Sequence, residues 1–341
     1  MTYRPLVTAV LLFAGACAEK PPEAPPAATV RVDILATIGD SASAIEGIAE
    51  HGGLLYVADW KDGTIYRVDP AAPTPAAVGR LPVAPGTWIL GLVTDAEGNL
   101  YAAVPDSGIV YRVTASRLGA ADFDPAGDAT PFVTGAKGAN GLAFDRAGHL
   151  WVGGGNTGNV YHAPPQGGPA VVFASAYSPK SADTTLPVRD FTVNGVGFDS
   201  KGTLYTLNTG TGEVTRLAVG PDYRPGAIGT FVKDARLIGA DGLIVDGNDN
   251  LWINANFRNS LVRVSPAGEI TVVAFSAPGG GMPDSTYQPA YSMAGPGNAM
   301  RFPAELKMVG KKIYLANLNF AAGANAAQQV KGASIAVVEL P

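Results

Sequence analysis

Apolar and polar positions in this chain follow short, strand-like runs, and no long stripe with the 3.6-residue period of a helix interrupts them. Runs rich in Val, Tyr, Trp, Thr and Leu lie between clusters of Gly, Asp and Asn, the pattern of strands joined by tight turns. A hydrophobic-aromatic pair recurs as Leu55-Tyr56, Leu100-Tyr101, Leu150-Trp151, Leu204-Tyr205, Leu251-Trp252 and Ile313-Tyr314. Successive aromatics are 45, 50, 54, 47 and 62 residues apart. Turns such as DAEGN from Asp95, DRAGH from Asp145, DSKGT from Asp199 and DGNDN from Asp246 precede four of them. An apolar strand comes before each of these turns, and a further segment such as GTIYRVD (63–69) or GIVYRVT (108–114) follows the aromatic strand.

One small antiparallel sheet per period of this length predicts an all-β, six-bladed β-propeller with four antiparallel strands per blade. A ring left open would expose an unpaired edge, so residues 30–37 are expected to close it beside the C-terminal strand near 334–340. The repeated Asp residues read as hairpin-turn residues.

Composition narrows the class. The chain has 341 residues, 47% of them hydrophobic, enough for a large core, and a net charge of −5 with no basic block, which argues against a nucleic-acid partner. Arg4 followed by the apolar stretch 6–14 and the small residues before Cys17 reads as a lipoprotein-type signal peptide over 1–16. Cys17 would then become the acylated N-terminus, and 17–29 a Pro/Ala-rich tether to the propeller of 30–341. The expected setting is the bacterial cell envelope, with the membrane reached by the lipid anchor only. As the only cysteine, Cys17 can form no intrachain disulfide. The chain is expected to be monomeric.

Counting back ten or eleven residues from each aromatic gives Glu46, Leu90, Asn140, Asn194, Asp241 and Pro303, followed by Gly in the first five and by Ala304 in the sixth. This position begins the innermost strand of each blade, so four oxygen-bearing side chains converge at one end of the central channel. Two carboxylates and two amide carbonyls are hard donors suited to Ca2+, with another divalent metal possible, whereas zinc would call for His or Cys. The glycines would relieve crowding near the axis. Leu90 and Pro303 would put an apolar wall beside the metal.

The segments IEGIAEHGGLLYVAD (45–59), ANGLAFDRAGHLWV (139–152), VNGVGFDSKGTLY (193–205) and ADGLIVDGNDNLW (240–252) resemble blades of the SMP-30/gluconolactonase/LRE family across most of 43–318. The resemblance implies Glu46, Asn140, Asn194 and Asp241 as metal ligands, Asp241 as catalytic base with Glu46 as the other candidate, and a metal-dependent lactonase or esterase activity. Members that act on sugar lactones typically carry an arginine two residues before the first metal-binding Asn, where this chain has Gly138 beside Lys137. That departure points toward a more apolar lactone or ester as the small-molecule substrate.

A second ring, three residues after the aromatics, contains Asp59, Asn208 and Asn317, as turn caps or as substrate contacts. Insertions at 175–192 and 276–300 are expected to overhang the same face. They bring Tyr287, Tyr291 and Met293, and Arg189 or Arg301 could replace the missing arginine. Two other classes remain open: an NHL-like binding propeller with a structural calcium, and an enzyme similar to virginiamycin B lyase. The second family's resemblance implies seven blades and a histidine near the metal.

Overall fold

The computed structural model describes residues 30–184, 186, 188–275, 299–318 and 332–341. Their strands form six sheets, one for each sequence repeat. Blade one runs outward from the axis through Ile48–His51, Leu54–Ala58, Thr64–Asp69 and Ala72–Arg80. The inner strands of blades two to five are Leu92–Thr94, Leu142–Phe144, Val196–Phe198 and Ala240–Val245. Blade six begins at Pro303–Val309, continues through Lys312–Asn317 and Ala333–Glu339, and takes its outermost strand, Val32–Ile38, from the other end of the chain. Val32 pairs with Val338 and Ile38 with Ala333, antiparallel, so the ring is closed by main-chain hydrogen bonds as the edge argument requires. Blade two departs from the four-strand plan. The short strand Gly168–Pro169 leaves blade three and pairs parallel with Ala129–Thr134, tying the two blades together.

The Asp turns carry more than turn geometry. Asp145 Oδ1 accepts from the backbone N–H groups of Ala147 and His149, while its Oδ2 accepts from Trp151 Nε1 at 2.9 Å. Asp246 does the same for Trp252 at 2.9 Å, and Asp95 receives the Tyr101 hydroxyl at 2.9 Å. Each carboxylate thus satisfies the polar edge of an aromatic six residues on, which lets a large ring sit between blades. Trp151 is fully buried and meets Phe173 and Phe198 edge-on at 4.8 and 5.4 Å. The core is a set of such wedges between neighbouring sheets, as with Tyr101, Phe132, Leu142 and Val152 between blades two and three.

Near the axis the glycines have a steric reason. A Cβ on Gly141 would lie 2.7 Å from the Asn194 carbonyl oxygen, and one on Gly242 would lie 2.5 Å from that of Ala304. Gly47, Gly91 and Gly195 press in the same way on the carbonyls of Leu90, Asn140 and Asp241. Each glycine therefore seats the next blade's strand mouth against its own, and the five contacts walk around the channel in chain order. The sixth junction has Glu305 in place of the glycine, and its N–H donates to the Glu46 carbonyl at 3.2 Å, as the Gly195 N–H does to that of Asp241 at 3.0 Å.

That junction corrects one position read from spacing. Blades two to five join their first two strands through five-residue loops, as between Thr94 and Leu100, but blades one and six use two-residue turns, Gly52-Gly53 and Gly310-Lys311. The shorter turn moves the strand mouth one residue closer to the aromatic. Leu306 pairs with Leu315 as Leu243 pairs with Ile253, so Ala304 takes the position of Asp241 and Glu305 that of Gly242. Pro303 sits one residue before the mouth.

Candidate metal centre and substrate pocket

Glu46, Asn140, Asn194 and Asp241 meet at one end of the channel, where all four line a single cavity of about 120 Å3. Each is almost wholly buried. The strand mouths hold them in place by extending the ladder past its regular end: Asn140 N–H donates to the Gly153 carbonyl at 2.7 Å, and Asn194 N–H to that of Leu207 at 2.8 Å.

Side-chain hydrogen bonds fix the orientation of Asn194 and Asp241. Asn194 Nδ2 donates to Asp241 Oδ1 at 2.6 Å and to Thr209 Oγ1 at 3.0 Å. Asn256 Nδ2 donates to Asp241 Oδ2 at 2.8 Å. With its amide nitrogen committed, the Asn194 carbonyl oxygen is left buried without a partner. An unpaired buried oxygen costs about 1–3 kcal/mol. No donor among the described residues reaches the Glu46 carboxylate.

Burial dominates the acid–base behaviour. It raises Glu46 well above the usual glutamate value, helped by the negative charges of Asp241 and then Glu305. Asp241 is pushed up to about 7, mainly by burial; the Asn256 hydrogen bond pulls it back, the Glu305 charge adds to the rise, and the Asn194 bond again opposes it. Glu305 is itself raised by burial, against the pull of Lys307, whose Nζ lies 3.8 Å from Oε1. Among the described residues, no three His, Cys, Asp or Glu side chains come close enough to hold one ion together. Amide oxygens must therefore complete any cation shell, and Glu305 acts through its field.

Two buried carboxylates, an orphaned amide oxygen and a second amide around one cavity form an all-oxygen donor set, which fits Ca2+. None of His51, His149 and His162 lines the cavity.

Two residues of the site escaped the spacing argument. Asn256 lies one residue beyond the second ring, because blade five's second strand ends at Ala255 and a 3-10 turn, Asn256–Arg258, carries the amide back to Asp241. Glu305 was hidden by the short Gly310-Lys311 turn.

The second ring caps loops. Asp59 Oδ1 accepts from Ala44 and Lys61 N–H; Asn208 Nδ2 donates to Ser178 Oγ and the Pro179 carbonyl; Asn317 Nδ2 donates to the Ala299 carbonyl and Ser334 Oγ. None of the three lines the cavity, so their contribution is to pin the segments that do.

Leu90 lines the cavity as expected, whereas Pro303 does not, and its neighbour Phe302 takes that place. Arg189 pairs with Asp190 at 3.4 Å, Lys137 Nζ donates to the Asp106 carbonyl at 3.0 Å, and neither they nor Arg301 are among the lining residues. Gly138 cannot be replaced in place: its φ is +73°, and a Cβ there would be driven into the Gly154 carbonyl. Cys17, Tyr287, Tyr291 and Met293 lie outside the described residues. No helix among the described residues is long and apolar enough to cross a membrane.

Residues 136–279 match the model of a family described as SMP-30/Gluconolactonase/LRE-like region. That span includes Asn140, Asn194 and Asp241. Among solved structures, the fold is similar to a gluconolactonase from Xanthomonas campestris, at 16% identity over 92% of this chain and 90% of that one, with a TM-score of 0.58. It is similar to the calcium-binding protein regucalcin from Agrobacterium tumefaciens, at 13% identity, 90% and 96% coverage and a TM-score of 0.58. It is also similar to virginiamycin B lyase from Staphylococcus aureus, at 14% identity, 92% and 100% coverage and a TM-score of 0.56. At such identities the likeness is one of fold. No curated protein matches the chain.

Proposed function

We propose that this chain, whose residues 136–279 form an SMP-30/gluconolactonase/LRE-like region, is a calcium-dependent hydrolase of a lactone or related ester. The observation that supports it best is the buried pair Glu46 and Asp241 facing one cavity beside the orphaned Asn194 oxygen. A cation is the economical counter-charge for that arrangement, and Glu46, Asn140, Asn194 and Asp241 would hold it. When bound, Ca2+ supplies Lewis acidity to a carbonyl oxygen at the site.

The chain's own groups supply the rest. Asp241 is the base: it takes a proton from water as the water oxygen bonds to the ester or lactone carbonyl carbon. The proton then passes to the leaving alkoxide as the acyl C–O bond breaks, which balances the hydrolysis. Asn194 and Asn256 keep both Asp241 oxygens aimed during that exchange. Glu46 contributes charge without a competing hydrogen bond. A lyase-type elimination gains no support from the cavity, because no histidine lines it. Acylation at Cys17 would keep the enzyme at the bacterial cell envelope.

The test is a panel of lactone, aryl ester and phosphotriester substrates, assayed with calcium and with chelator on wild type and Asp241→Asn. Lactone or ester hydrolysis lost in chelator, and reduced at least 100-fold by the substitution, is the expected result. Hydrolysis indifferent to both sinks the proposal.

A further inference from the structure

The site is two-sided, and the repeat positions show how. Blades three, four and five put polar Asn140, Asn194 and Asp241 at the strand mouth, joined by Glu46 of blade one. Blades two and six put apolar Leu90 and Ala304 at the same position. Two residues earlier, those same two blades carry Trp88 and Phe302, whereas blade three has Gly138 and blade five has Gly239. The large apolar side chains therefore occur where the metal ligands do not, on the blades that flank blade one.

Trp60 completes this wall. Its Nε1 donates to the Ile89 carbonyl at 2.7 Å, which fixes the indole, and Trp88 stacks on it with centroids 5.5 Å apart and planes 21° apart. Trp88 remains 41% exposed, so its stacking on Trp60 leaves aromatic surface uncovered at the cavity. Phe302 is held at φ +57°, a costly conformation for an aromatic residue, with its N–H donated to Asn259 Oδ1 at 2.8 Å. Leu318 lies beside it, and Phe191 reaches in from the insertion between blades three and four.

The polar side offers little beyond the ligand set. The Thr209 hydroxyl already accepts from Asn194, and the Asn256 amide nitrogen is engaged with Asp241. Among the described residues, no Lys or Arg lines the cavity. Beyond the ligand set, the orphaned Asn256 Oδ1 and the Thr209 hydroxyl leave partners for only a few substrate polar groups, so a polyhydroxylated substrate would leave most of its hydroxyls unpaired. The volume of about 120 Å3 compares with the ~150 Å3 apolar cavity that accepts benzene.

Building on the proposed hydrolase, we infer that the substrate is a neutral lactone or ester bearing a flat aromatic ring. The ring lies against Trp60, Trp88, Leu90 and Phe302 while the carbonyl faces the oxygen ligands. Trp88 is the specificity-determining residue of that wall, since it is the least buried of the four.

Binding and turnover must be read separately. Full-length protein loaded with calcium is titrated with 3,4-dihydroquinolin-2-one, an aromatic lactam that resists hydrolysis, and with the ring-lacking piperidin-2-one. The readouts are calorimetry and quenching of tryptophan fluorescence. In parallel, kcat/KM is measured for dihydrocoumarin, δ-valerolactone and glucono-δ-lactone. The aromatic member of each set is expected to be favoured by about tenfold or more. Trp88→Ala should remove most of that preference and Trp88→Phe should retain it. Equal binding of the two lactams, or a preference unchanged in Trp88→Ala, overturns the inference. Hydrolysis without ring preference overturns it while leaving the hydrolase reading intact. Ring-selective binding without hydrolysis of any lactone or ester supports the binding inference and refutes the hydrolase.

Discussion

Removing divalent cations should make the stability of this protein fall as pH rises, and the effect should trace to Asp241. Its carboxyl is pushed up to about 7 in the folded chain against an ordinary value of 3.8, chiefly by burial. A raised folded value means that the native state binds the proton more tightly than the unfolded chain does. The protonated carboxyl carries no penalty below about pH 4; the cost then accumulates as pH rises to about 7 and stays constant above it. Roughly three pH units at about 1.4 kcal/mol each amount to about 4 kcal/mol, and Glu46 adds to the same trend. Other groups move differently. Asp40, Asp62 and Asp234 have lowered values and lose their contribution only below about pH 4. His162 is lowered by burial, and its contribution is lost as pH falls below the ordinary histidine value, which is the opposite slope.

The difference between wild type and Asp241→Asn isolates the group. Urea unfolding is measured in chelator from pH 4.5 to 8.5. The asparagine keeps one acceptor oxygen for the two amides that now serve Asp241, a pH-independent loss of about 1 kcal/mol. The two should be about equally stable near pH 4.5, and the variant should pull ahead by up to about 3 kcal/mol near pH 8. Calcium at a thousandfold excess over the wild-type Kd adds about 4 kcal/mol to wild type and should put it ahead of the variant near pH 8. Parallel curves for the two proteins across this range would refute the reasoning.

Three further outcomes follow from the ring. Gly141→Ala puts a Cβ 2.7 Å from the Asn194 carbonyl and should cost about 1–3 kcal/mol in urea unfolding, whereas Gly229→Ala, with open space at its Cβ, should change little. Glu305→Gln removes a buried negative charge that acts on both Glu46 and Asp241, so calorimetry should show calcium affinity falling severalfold, with little change in that loss as salt increases. Gly138→Arg, which restores the residue usual in sugar lactonases, should lower the unfolding midpoint without producing glucono-δ-lactone hydrolysis, because the backbone at 138 has no room for a Cβ.

The propeller was legible because its repeats report themselves: an aromatic needs a polar partner in each Asp turn, and a glycine seats one blade's mouth against the next at five of the six junctions. The convergence of Glu46, Asn140, Asn194 and Asp241 on one cavity was legible for the same reason, since the four occupy a single repeat position. Counting failed where the backbone changed length. The Gly310-Lys311 turn is shorter than the Asp turns, which displaced Pro303 and concealed Glu305. The Asn256–Arg258 turn continued blade five one residue beyond the ring that contains Asp59 and Asn208. Trp60 and Trp88 resemble ordinary loop aromatics in sequence, and only the stacking of the two across the loop between blades one and two makes them a wall.

Calcium titration of the chelated full-length protein by calorimetry tests the central claim most directly. At pH 7.5 we expect a saturable site at one ion per chain, with Asn194→Ala and Glu46→Gln each weakening it at least tenfold and Asp59→Asn leaving it unchanged. No calcium binding by wild type, or binding indifferent to Asn194→Ala and Glu46→Gln, would contradict the account.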